Sequence, residues 1–284
     1  MHLELSISPC PNDTFMFDAL LGSRIDCEGL TFAPAFHDIE ELNRALRDAA
    51  PGAGPDMSKV SCALLPEIAD RYEVLDSGAA LGRGNGPLLI RRRGDRTPLR
   101  RVAVPGLHTT ANALLRLLHP EIVERTPVLF SEIAAAVERG DYDAGVLIHE
   151  GRFVFGARNL ERVADLGEEW EARTGLPLPL GAIVVRRTLP EAVRRRCAAV
   201  LRRSIEYAFA HPGASRPFVR AHARELDDAV TDAHIALFVN EYSLSLGAEG
   251  RRALETLAPG AFGTTGTPET PDAAAEQPRP GYYI

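Results

Sequence analysis

A chain of 284 residues has room for one large domain or two small ones. With 45% apolar and 25% charged residues it has the composition of a soluble globular protein, and it lacks the run of about 18 uncharged apolar residues that a membrane span needs. A net charge of −7 argues against a nucleic-acid partner.

The opening Met1-His2-Leu3-Glu4 has neither the basic start nor the long apolar stretch of a secretory signal. A cytoplasmic protein with no membrane partner is expected. Cys10, Cys27, Cys62 and Cys197 are scattered, without CxxC or finger spacing, and fit reduced thiols better than disulfides. Among 32 basic residues only Lys59 is a lysine. Its compact ammonium is not interchangeable with a planar guanidinium, so Lys59 is a candidate functional residue. Chance within an arginine-rich composition is the competing explanation.

Leu3–Ile7 reads as a buried strand. Residues 14–21 read as the following helix, with Asn12 or Asp13 as N-cap. Asp38–Arg47 places Ile39, Leu42, Ala45 and Leu46 at helical spacing. Val60 ends a short strand, and Ser61 can cap a helix toward Ala69. Arg101–Val104 is a strand broken by Pro105-Gly106, with a helix over Thr110–Leu118. Ser131–Arg139 reads as a helix with a serine N-cap, closed by Gly140. Ala144–Ile148 is another buried strand. The alternation implies an α/β protein with largely parallel sheets. After Pro190 the pattern is helical over 192–210, 217–226, 230–243 and 248–257. Residues 259–280, poor in apolar side chains and rich in Gly, Thr and Pro, read as a loose tail.

"GPLLIRRR" (Gly86–Arg93) resembles "GAIVVRRT" (Gly181–Thr188), and the chain between them carries its own βαβ units. This predicts a discontinuous first domain, 1–91 plus 187–284, an inserted second domain, 92–186, and a ligand cleft between them. One continuous α/β domain is the alternative.

Ligands of open α/β sheets sit beyond the carboxyl ends of the strands. Four stretches hold that position: Ser8–Thr14, Lys59–Ser61, Gly106–Ala111 and His149–Arg152. The helix starting at Thr110 has unpaired first amides and a dipole that favours an anion, with the Thr109 and Thr110 hydroxyls beside them. Plain N-capping would explain the same residues. "GRGNG" (Gly82–Gly86) precedes a strand rather than a helix and reads as a turn, not a dinucleotide fingerprint. His149, at the mouth of a buried strand, suits proton transfer near neutrality, and a structural histidine suits the position as well. His119, His211, His222 and His234 are weaker candidates, at helix ends or within helices. With no HExxH, paired CxxC, Asp-rich loop or GxSxG, no metal and no cofactor are expected.

Taken together, "SPCPNDTF", "SKVS", "ALGRGNGPL", "PGLHTTANALL", "GVLIHEGRF", "TGLPLPLGAIVVRR" and "FVNEYSLSLGAEG" resemble the 1,4-dihydroxy-6-naphthoate synthases of the futalosine route to menaquinone. The resemblance runs from Leu5 to Ala258 and omits the tail. It implies a two-domain fold like the type II periplasmic binding proteins, used as a carbon–carbon lyase. It implies cyclic dehypoxanthine futalosine, a small-molecule carboxylate, as substrate, and His149 as the base. Lys59, Val60, Ser61, Thr110 and Ala111 would bind substrate, and Asn12, Asp13 and Thr14 would line the cleft. Leu107 departs from the basic residue expected there, which shifts anion binding toward Thr109, Thr110 and the helix amides. A solute-binding protein without catalysis and the related chorismate dehydratase are the rival readings.

Overall fold

Residues 2–7 alternate in burial, with Leu3, Leu5 and Ile7 fully covered, and form strand β1 (His2–Ile7). The computed structural model describes residues 1–50, 52–84, 86–149, 151–223 and 227–263. After β1 come α1 (Pro11–Leu21), β2 (Thr31–Phe36), α2 (Ile39–Arg47), β3 (Met57–Ser61), α3 (Leu65–Ile68), β4 (Tyr72–Val74) and β5 (Ala80–Gly82). The middle of the chain forms β6 (Leu88–Arg92), β7 (Arg101–Val104), α4 (Thr110–Leu118), β8 (Glu124–Pro127), α5 (Ile133–Arg139), β9 (Ala144–Leu147), α6 (Gly151–Val154), β10 (Leu160–Asp165) and α7 (Leu166–Thr174). It closes with β11 (Leu178–Arg186), α8 (Glu191–Ala210), α9 (Arg216–His222), α10 (Asp228–Phe238), α11 (Glu241–Leu244) and α12 (Gly247–Leu257).

Two sheets result. The first runs β2-β1-β3-β11-β4, with β5 also paired to β11, and the second runs β10-β6-β9-β7-β8. Both are covered on two faces, and the strands show it by period-two alternation. On β11, Ile183 and Val185 enter one core cluster while Ala182 and Val184 enter another. On β6, Leu89 faces one cluster and Leu88 and Ile90 the opposite one.

The sheets are more mixed than the largely parallel pattern expected. β1, β2 and β3 pair in parallel, as do β7, β8 and β9. β11 runs antiparallel to β3, β4 and β5, and β6 runs antiparallel to β9 and β10. β6 and β11 are the two similar segments of the sequence. Each lies within one sheet, so the chain changes sheet between the end of β5 and the start of β6 and returns between the end of α7 and the start of β11. The expected limits at 91/92 and 186/187 fall at the far ends of these strands. The ladders keep all of β6 with the second sheet and all of β11 with the first.

Several helix starts also differ. Cys10, not Asn12 or Asp13, is the N-cap of α1, with Pro11 in its first turn. That placement suits proline, whose missing N–H would have no partner there. Ser61 does not cap α3, because a 3-10 turn at Cys62–Leu64 intervenes; Ser61 precedes that turn without a side-chain cap bond. Ser131 lies inside a 3-10 turn at Phe130–Glu132 rather than capping α5. Gly140 does close α5, in the left-handed conformation at φ 88°. The helix expected over 230–243 is broken between α10 and α11, where Asn240 starts a new capping box. The part of the expected 217–226 helix beyond Ala223 and the tail beyond Gly263 lie outside the described residues. None of the four cysteines is in a disulfide. Among the described residues no helix is long and apolar enough to cross a membrane.

Candidate active site

The carboxyl ends of β1, β3, β7 and β9 open onto one cleft of about 680 Å³, open solvent included. Ser8, Asn12, Lys59, Ser61, Thr109, Thr110, Ala111, His149 and Arg152 line it, with an apolar wall that includes Ile39, Ile148, Leu180 and Phe238. Every one of the four expected stretches therefore contributes.

Three expected cleft residues do not line it. Asp13 and Thr14 are fully buried, because α1 begins at Pro11 and turns them inward. Thr14 Oγ1 donates to the Cys10 and Pro11 carbonyls. The Val60 side chain points into a core cluster, on the opposite face of β3 from its lining neighbours Lys59 and Ser61.

Asp13 instead organises the wall behind the cleft. Its carboxylate accepts from Lys59 Nζ at 2.9 Å, Ser8 Oγ at 2.7 Å and Asn12 Nδ2 at 2.9 Å. Lys59 is 5% exposed, so the lone lysine is a buried ion-pair partner that also reaches the cleft. Gly181 on β11 makes room for it: a Cβ there would lie 2.9 Å from Lys59 Cε. Ser61 is fixed by Asn43, which donates to Ser61 Oγ at 2.9 Å and accepts from Ser61 N–H at 2.9 Å.

The turn before α4 is held from the opposite side. Thr109 is the N-cap, accepting from Asn112 N–H. Thr110 Oγ1 donates to the Leu180 carbonyl at 2.8 Å and accepts from Ala63 N–H at 3.2 Å. Glu40 accepts from the His108 N–H and bonds its ring at 2.7 Å, while Arg47 contacts the other ring nitrogen. Gly106 is required here, because a Cβ would lie 2.3 Å from Glu40 Oε2. These contacts tie the second sheet's turn before α4 to the first sheet. They also occupy the Thr110 hydroxyl; the first amides of α4, at Thr110 and Ala111, have no intrahelical acceptor and are the remaining donors of this turn among the described residues. Leu107 is exposed and not part of the lining.

His149 follows β9 in the left-handed region, at φ 52°. Such a residue costs of order 1–3 kcal/mol and persists where its surroundings dictate it. Its Nε2 lies 3.9 Å from Cys10 Sγ, and its ring packs 5.1 Å from Phe130 and parallel to His234 at 5.8 Å. Arg152 donates to the Gly86 carbonyl at 2.6 Å and contacts Asp165. Burial pushes its guanidinium below the ordinary value, and Asp165 opposes the shift. Among the described residues no group of three or more His, Cys, Asp or Glu is placed to hold a metal ion.

Sequence reasoning missed Glu40, Asn43, Phe130 and Phe238, and ranked His234 among the weaker histidines. Asn43 carried a readable signal: it lies four residues after Ile39, on the inward face of α2. The others come from elements whose packing no local pattern specifies.

A family model described as menaquinone biosynthesis matches residues 3–262. The chain is 45% identical over 281 residues to the 1,4-dihydroxy-6-naphthoate synthase of Thermus thermophilus, covering 98% of each chain. It is 44% identical over 265 residues to that of Streptomyces coelicolor, covering 90% of this chain and 91% of the relative. Protein AF1704 from Archaeoglobus fulgidus superposes with a TM-score of 0.84 at 31% identity, covering 90% of this chain and 95% of that one. The ligand-binding component of an ABC-type import system from Staphylococcus aureus superposes at 0.66 and 12% identity, covering 90% of each, and shows the fold alone. The two sheets and the cleft between them thus have a periplasmic-binding-protein-like fold, and the chain belongs to the menaquinone-biosynthesis family.

Proposed function

We propose that this chain is a 1,4-dihydroxy-6-naphthoate synthase, a carbon–carbon lyase acting on cyclic dehypoxanthine futalosine with His149 as its general base. The observation that carries the reading is the placement of His149. A strained histidine stands at the carboxyl end of β9 and shares one cleft with the first turn of α4. The anionic carboxylate of the substrate sits at the Thr110 and Ala111 amides, which the positive end of the helix dipole favours by roughly 0.3–2 kcal/mol. Ser61, Lys59 and Asn12 face it from the first sheet, and the apolar wall takes the ring system. His149 removes a carbon-bound proton activated by a neighbouring carbonyl. The sugar-derived fragment then leaves in a retro-aldol-like cleavage, and formation of the aromatic naphthoate draws the sequence forward. These steps are redox-neutral and ask for no cofactor. The two sheets are the two domains, with the cleft at their junction.

The test is to incubate the purified chain with cyclic dehypoxanthine futalosine, and separately with chorismate, and to follow products by mass spectrometry. Naphthoate from the first substrate is expected. Turnover of chorismate alone would make it the dehydratase, and tight binding without product would make it a solute carrier.

Two further outcomes are expected. Thr110→Val removes a donor to the part-buried Leu180 carbonyl and an acceptor for the part-buried Ala63 amide. It should cost about 1–3 kcal/mol in urea unfolding and raise KM more than it lowers kcat, because it loosens the turn that presents the amides. Gly181→Ala places a methyl against the Lys59 stem. Substrate affinity by calorimetry should fall, while an unchanged Kd would separate Lys59 from binding.

A further inference from the structure

His234 is buried at 1% exposure on α10, outside every role assigned so far. Its hydrogen-bond partners fix its state. The Asp13 carboxylate, paired with Lys59, only accepts, so the Asn12 Nδ2 that contacts it at 2.9 Å must be the donor end of that amide. Asn12 Oδ1 is left facing His234 Nε2 at 3.0 Å. An amide oxygen only accepts, so Nε2 carries the hydrogen and Nδ1 is a bare lone pair. Among the described residues that lone pair has no partner. Burial, with Lys59 and His149 adding to it, holds the proton affinity of the ring well below the ordinary value.

This ring lies parallel to His149, with an interplanar angle of 4° and centroids 5.8 Å apart, the offset-stacked arrangement that aromatic pairs favour. Phe238, one turn along α10, packs on His234 at 4.7 Å. The two histidines come from opposite sides of the cleft. His149 follows β9 of the second sheet, whereas α10 packs on α1, beside the first. Cys10, whose Sγ lies 3.9 Å from His149 Nε2, also belongs to the first side.

We infer that His234 is a positioning residue for His149, a second imidazole locked in one tautomer by Asn12 and braced across the cleft against the ring of the base. The inference rests on the reading of His149 as the base. It explains what over-determines the strained backbone there, and it makes the aim of the base depend on the two sheets being together. A misplacement of about 1 Å in such a site costs on the order of 10²-fold in rate.

The experiment compares His234→Leu, His234→Phe and His149→Asn in full-length protein. It measures kcat, KM and the pH profile with cyclic dehypoxanthine futalosine, and records ¹⁵N spectra of histidine-labelled wild type. His234→Leu should lower kcat on the order of 10–10²-fold with KM little changed and the pH profile of the base displaced. His234→Phe, which restores a flat ring, should recover much of the rate. In the wild type, His234 should stay Nε2-protonated while His149 titrates. A folded His234→Leu with wild-type kcat, beside an inactive His149→Asn, overturns the inference and leaves the base reading standing. Normal turnover in His149→Asn overturns both. If His234→Leu fails to fold, the wild-type spectrum decides: an Nδ1-protonated or freely titrating His234 refutes the brace.

Discussion

His149→Asn should lower kcat by about 10²–10⁴-fold, the usual contribution of general-base catalysis, while substrate affinity stays close to that of the wild type. The substitution is chosen for the backbone. At φ 52° most side chains would add strain, but asparagine tolerates the left-handed region well. Alanine would confuse loss of the base with movement of the loop. Affinity should survive because the proposed anion contacts lie on α4 and the proposed polar contacts on β3 and α1. The sign of the pH dependence follows from the same role. A base must be unprotonated to accept a proton, so kcat/KM should rise with pH through the imidazole titration and then level off. In His149→Asn the residual rate should lose that rise. Turnover and calorimetric Kd measured on the same preparation decide the matter. Near-normal turnover would remove the base assignment. Loss of binding would make His149 a residue that holds the ligand.

The parts of this site that the sequence made legible are those written in local chemistry. Thr109 before an apolar helical run, glycine after Arg139 and histidine after a buried apolar run each announce a local geometry, and the structure has all three. "SPCPNDTF" could be recognised as a site at the exit of β1, but its residues could not be apportioned. With Pro11 opening the helix, Asn12 faces the cleft while Asp13 and Thr14 turn inward. A helix start displaced by a few positions reverses such roles. The sheet that β6 and β11 each join was illegible for a related reason. β6 and β11 have the same apolar content whichever sheet they join, and only ladder partners far away in sequence decide it. The role inferred for His234 was not legible beyond its place among the weaker histidines. A histidine inside a helical pattern gives no sign of what lies across a cleft from it, and the stack with His149 joins residues 85 apart in the chain.

Asp13→Ala should be the most destabilising of these substitutions, costing about 3–5 kcal/mol in urea unfolding, the range seen when one partner of a buried ion pair is removed. The Asp13 side chain is fully buried and that of Lys59 is 6% exposed, so solvent screens the pair little. Removing the carboxylate strands the ammonium, and it also deprives the Ser8 hydroxyl and the Asn12 amide of their acceptor. Asn12 is then free to rotate, so the damage extends to the His234 tautomer and, through the stack, to the base. Lys59→Met alone should also destabilise, by leaving an unpaired buried carboxylate. The double variant is the informative one. With both charges gone, no buried charge is uncompensated, and apolar replacement of a buried pair is often neutral in stability. Asp13→Ala with Lys59→Met should therefore unfold at a higher urea concentration than either single variant. It should nonetheless remain a poor enzyme, because Lys59 reaches the cleft and Asn12 has lost its anchor. If the single variants add in the double, the two residues are energetically independent and the ion pair is not what holds this wall. If stability returns without activity, the pair is retained for the geometry it imposes on Asn12 and the cleft rather than for its contribution to folding.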